Sequence, residues 1–146
     1  MACPYFMPTQ KHDSALWIHP SRLPLGAGWK GYCTAPGHQN EVPSDEQLRD
    51  NCNLGYARNC AWCPQDRKWD STRFGISKES ERRITLCYVC EKEHRPVEQG
   101  ILEYDLALAS WNSRHPDERV QRMAERYMEG YLVRKTSSVD AGPSSS

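Results

Sequence analysis

A chain of 146 residues with 38% hydrophobic side chains and a mean hydropathy of −0.82 has the length of one domain and a modest apolar core. Nineteen basic and nineteen acidic side chains cancel, so charge gives no support to a nucleic-acid partner, whose phosphates attract strongly positive proteins. No basic leader with an apolar run opens the chain and no stretch of about eighteen apolar residues follows, so the expected protein is cytoplasmic, has no membrane partner, and uses its seven cysteines for metal or redox chemistry in preference to disulfides.

In chain order, residues 1 to 43 come first. They carry Pro4, Pro8, Pro20, Pro24, Gly26, Gly28, Gly31, Pro36 and Gly37, which predicts an extended, turn-rich arm that does not order itself by backbone ladders. Trp17, Ile18, Leu23, Leu25, Trp29 and Tyr32 are its candidate anchors into a core. Ser44 then opens a short helix: its hydroxyl can cap, Gln47 stands three residues on as in a capping box, and "DEQLRDNC" contains no breaker. Cys52 falls at or just past the end of that helix. Asn53 to Asp70, with Gly55 and Pro64, reads as loop.

Strand-like runs follow at 72–77 (TRFGIS), 83–89 (RITLCYV) and 100–105 (GILEYD), and the polar KESER between the first two predicts a hairpin. From His115 the periodicity changes. Pro116 suits a first helical position, Asp117 and Glu118 complement the helix dipole, and Val120, Met123, Ala124, Tyr127, Met128, Tyr131 and Leu132 make one apolar face, expected to pack on the sheet. Residues 136–146 have the composition of a disordered tail. The predicted class is α+β: a turn-rich, cysteine-containing N-terminal arm, a small antiparallel β-sheet and a C-terminal amphipathic helix. One metal-binding domain spans 1–135, with arm, short helix and loop in 1–70, sheet in 71–105 and helix in 115–135.

Two groupings compete for the cysteines. The local one joins Cys60-x2-Cys63 to Cys87-x2-Cys90, which resembles a zinc ribbon, where two knuckles present four thiolates to one ion. Against it, ITLCYVC reads as a continuing strand, without the glycine that a tight knuckle often has. The dispersed grouping takes Cys3, Cys33, Cys52 and Cys60, and spacing alone does not single it out. The segments CPYFMP at 3–8, RLPLGAGWKGYC at 22–33, CNLGYARNC at 52–60, EKEHRPVEQGILEYD at 91–105 and AERYMEGYLVRK near the end carry a likeness. Through them the chain resembles an uncharacterised family of small bacterial cysteine-rich proteins over most of its length. The resemblance brings no activity with it. It implies that Cys3, Cys33, Cys52 and Cys60 are the shared cysteines and that Cys63, Cys87 and Cys90 are additions, which makes the dispersed four the preferred metal site.

Four thiolates suit a 4Fe-4S iron-sulfur cluster, and a proline beside a ligand, as at Cys3-Pro4, is common in such sites; zinc would accept the same four. Cys63, Cys87, Cys90 and His94 remain as a possible second site of Cys3His type, because Cys90-x3-His94 has zinc-ligand spacing. Gly55 would let backbone approach the centre, and Tyr56 and Trp62 could shield it or pack in the core. Read as a dithiol, Cys60-Ala61-Trp62-Cys63 lacks the βαβ setting of thioredoxin-like proteins. His12, His19, His38 and His115 read as surface or capping residues, and no phosphate-cradling loop is present. Arg82, Arg83, Arg134 and Lys135 could face nucleic acid, but Glu79, Glu81, Glu118 and Glu125 intersperse them. The expected function is a redox, sensing or adaptor component with a protein partner, with the alternative of a zinc-based structural or interaction module. The sequence does not have the look of a complete enzyme.

Overall fold

The computed structural model describes residues 2–11, 24–25, 28–53, 60–64 and 66–141, with side chains to residue 135. Of the expected anchors, Trp17, Ile18 and Leu23 lie outside the described residues, as do His12, His19, Gly55 and Tyr56. The class is α+β with most of the order in strands. A four-stranded antiparallel sheet runs in chain order through β3 (Ser71–Glu79), β4 (Arg83–Lys92), β5 (Arg95–Asp105) and the two-residue β6 (Ser110–Trp111), and it is preceded by a two-stranded sheet of β1 (Phe6–Lys11) and β2 (Trp29–Cys33).

The arm is therefore more ordered than its prolines and glycines predict. Phe6 pairs with Cys33 and Lys11 with Trp29, and the register slips after Pro8, a residue with no N–H to give to a ladder. Gly31 makes the pairing possible. A Cβ there would stand 2.0 Å from the Met7 carbonyl oxygen, so only glycine lets the strands approach. Leu25 and Trp29 are buried as expected and Tyr32 is half-buried.

Ser44 caps α1 (Asp45–Gln47) with the reciprocal bonds of a capping box. The helix then widens into a π-helical turn over Leu48–Asn53 instead of continuing as α. Asn53, fully buried, explains why this turn holds. Its Oδ1 accepts the Trp29 amide at 3.1 Å, and its Nδ2 donates to the carbonyls of Trp29 at 3.1 Å and Leu48 at 2.7 Å. One side chain thus bolts the turn to β2.

The KESER hairpin forms, closed by Ser80 and Arg83. The next turn is tighter: Glu93 and His94 both have positive φ, as a two-residue hairpin loop requires. Asp70 steadies it by accepting the Glu93 amide at 2.8 Å. Along β4, Ile84, Leu86, Tyr88 and Cys90 alternate onto the face that meets the third layer, α2 (Glu118–Ala141). The helical stripe packs there as expected. Met128 and Ala124 cover Ile84, Leu86 and Leu102, Val120 covers Trp69 and Cys90, and Met123 reaches the arm's core of Phe6, Leu25, Trp29 and Leu48. Burial of side chains this size contributes about 1.5–3 kcal/mol each.

Two corrections concern the ends of α2. Asp117 caps it, accepting the Arg119 amide at 2.9 Å, so the helix starts at Glu118, two residues after Pro116, the expected first helical position. At the other end it continues to Ala141, across residues whose composition reads as tail. His115 is not a surface residue. It is 6% exposed, its Nε2 bonds Glu98 at 2.6 Å and its Nδ1 accepts the Asp117 amide at 2.9 Å, so both ring nitrogens anchor the start of α2 to β5. Among the described residues no helix is long and apolar enough to cross a membrane.

Candidate metal centre

Cys3, Cys33, Cys52, Cys60 and Cys63 gather where the arm meets the edge of the larger sheet. Ala2 and Thr72 exchange two backbone bonds of 3.0 and 2.9 Å, which lays the N-terminus along β3, and the next amide, Cys3 N–H, donates to the Cys52 carbonyl at 3.0 Å. Cys3 is thereby pinned between β3 and the π turn. Cys33 ends β2 and opens a loop closed by its own backbone: its N–H donates to Glu41 and its carbonyl accepts from Asn40, both at 2.9 Å. Within that loop the Ala35 amide points at the Cys33 sulfur at 3.3 Å.

Cys60 and Cys63 form a knuckle. The Cys63 amide donates to the Cys60 carbonyl at 3.2 Å, and the amides of Trp62 and Cys63 also donate to the Cys60 sulfur. Trp62 stacks on His38 with ring centroids 4.8 Å apart and planes 6° from parallel, which docks the knuckle on the loop after Cys33. Trp62 is thus a clamp between two cysteine-bearing loops. Across the cluster, the sulfurs of Cys63 and Cys3 are in contact at 3.7 Å, although 60 positions separate them in the chain.

The thiols sense one another. Burial pushes Cys33, Cys52 and Cys60 up, and each is pushed further by Cys63; Cys52 is also pushed by Cys33 and Cys60. Cys63 is raised first by its bond to Cys3 and then by burial. Opposing groups are built in: the Ala35 amide lowers Cys33, the amides of Trp62 and Cys63 lower Cys60, and the Arg67 guanidinium lowers Cys63. Arg67 is itself held by Asp70 Oδ1 at 2.6 Å and the Pro64 carbonyl at 2.7 Å. Burial and mutual repulsion therefore favour the protonated form of Cys33, Cys52, Cys60 and Cys63, while N–H donors and a cation stand where they offset thiolate charge.

The remaining predicted ligands lie elsewhere. Between Cys87 and Cys90 the strand β4 runs without a bulge, so residues three apart point to opposite faces of the sheet. Cys87 pairs across from Gly75 and donates to its carbonyl at 3.2 Å, whereas Cys90 is fully buried against Trp69 and Val120, near the Thr72 hydroxyl. His94 is exposed in the β4–β5 turn. Neither the ribbon set Cys60, Cys63, Cys87, Cys90 nor the second set Cys63, Cys87, Cys90, His94 is brought together.

The four cysteines of the dispersed grouping lie in one region of the fold, with Cys63 in contact with Cys3. The x2 spacing of Cys63 from Cys60 was the sequence signal for its place there. Among the described residues no three Cys, His, Asp or Glu side chains close to the spacing of ligands on a single ion. No family model, curated protein or solved structure matches the chain.

Proposed function

We propose that Cys3, Cys33, Cys52 and Cys60 hold an iron-sulfur cluster and that the protein works as a small redox or sensing component with a protein partner. The observation that carries this reading is the convergence of cysteines from the N-terminus, the end of β2, the π turn and the knuckle, with N–H groups aimed at the Cys33 and Cys60 sulfurs. Amide-to-sulfur bonds of this kind tune the charge of cluster thiolates. Cys33, Cys52 and Cys60 also lie close enough to feel one another's charge, as thiolates sharing one centre would. Bound metal would also offset the entropy of ordering a proline-rich arm.

Zinc is the second reading, and the Cys3–Cys63 contact favours it. Thiolates about 2.3 Å from a tetrahedral ion stand about 3.8 Å apart, against the 3.7 Å found between these sulfurs. In that reading the protein is a structural or interaction module. Substitution tests the site for either metal. Cys33→Ala is expected to lose most of the bound metal and loosen the N-terminal half, while Cys87→Ala keeps its metal. The reverse result would overturn the assignment.

A further inference from the structure

We infer that Cys3 and Cys63 are an oxidation switch on this centre: a peroxide joins them in a disulfide, and the loss of Cys3 as a ligand releases the metal. The inference rests on the four-thiolate reading, which includes Cys3 and leaves Cys63 as a fifth thiol beside it. The pair is in contact at 3.7 Å, so a disulfide of about 2.05 Å needs rotation of two side chains and little movement of backbone. Accessibility assigns the roles. Cys63 is half-buried and Cys3 is 5% exposed, so the oxidant meets Cys63 first and Cys3 resolves.

The chemistry balances with hydrogen peroxide as the oxidant. The Cys63 thiolate attacks one peroxide oxygen, the O–O bond breaks, and the departing hydroxide takes a proton to leave as water, giving a sulfenic acid. The Cys3 thiolate then attacks that sulfur, the S–O bond breaks, and a second hydroxide leaves as water with a second proton. Two thiolates have lost two electrons and one peroxide has gained them. A competing pair exists in Cys60 and Cys63, whose thiols also bond each other; the Cys60 sulfur is further engaged by the Trp62 and Cys63 amides, and the strongest contact of Cys63 is the one to Cys3.

The test uses the full chain in two forms, as purified without oxygen and after chelation, each treated with equimolar hydrogen peroxide, alkylated and mapped by non-reducing mass spectrometry, with released metal measured in parallel. The expected result is a Cys3–Cys63 linked peptide as the dominant product in both forms, metal release in step with it, and reversal of the linkage by dithiothreitol. Cys87→Ala should behave as the unmodified chain. A dominant Cys60–Cys63 linkage, or metal release with Cys3 and Cys63 still alkylated, would overturn the switch. Linkage in the chelated protein alongside no metal in the protein as purified would keep the thiol pair but overturn the metal release and the reading beneath it.

Discussion

Cys90 and Asn53 show what single buried side chains do outside the proposed ligand set. Burial pushes Cys90 up to about 12, well above an unfolded thiol at about 8.5. A raised thiol binds its proton more tightly in the folded state, so its contribution to stability is complete below about pH 8.5 and is lost as pH rises toward 12. Cys90→Ala should therefore flatten the decline of stability in alkaline buffer, read by urea unfolding from pH 8 to 11. It should also cost about 1–2 kcal/mol at neutral pH, by loss of packing against Trp69 and Val120, and leave metal content unchanged. Asn53→Ala should cost more, about 2–3 kcal/mol, because the Trp29 amide and two carbonyls lose their buried partner. Its second effect should be weaker metal retention, since Cys52 is carried by the turn that Asn53 bolts to β2.

At the scale of elements, the β1–β2 pair carries Cys33 at its end and follows Cys3, and Gly31 decides whether it closes. Gly31→Ala places a Cβ against the Met7 carbonyl, which backbone must move to accept. The expected outcome is faster amide exchange over 6–11 and 29–33 together with substoichiometric metal. Exchange and metal content both unchanged would contradict the role given to this hairpin. This element was also the least legible in the sequence. Its prolines and glycines are strand breakers by local preference, and what overrides them is long-range: the Ala2–Thr72 bridge, Asn53 and Arg126, which donates to the Pro8 carbonyl. The larger sheet and α2 were legible because alternation in β4 and the three- and four-residue stripe from Val120 to Leu132 are local signals that the core rewards. The proposed cysteine tetrad has no signal in spacing and comes from the resemblance alone. The exclusion of Cys87 and Cys90 was written locally, in a strand whose alternation forbids a knuckle.

Across the whole molecule, α2 touches both sheets: Met123 packs in the arm's core, Met128 and Ala124 pack on the larger sheet, and Arg126 lies over the Trp29 ring. The larger sheet and helix share a core of their own, whereas the arm is held by Met123 of α2, by Asn53 and, on the proposed reading, by metal at its cysteines. Chelation should divide the molecule along that line. Amides over 2–11, 28–53 and 60–64 are expected to exchange faster, with 83–92 and 118–135 still protected; uniform loosening would contradict the division. The most direct test of the central claim is metal and acid-labile sulfide analysis, with a visible spectrum, of the untagged protein purified without oxygen. The account predicts a brown protein with about four irons and matching sulfide per chain. A colourless protein carrying zinc, or no metal, would contradict it.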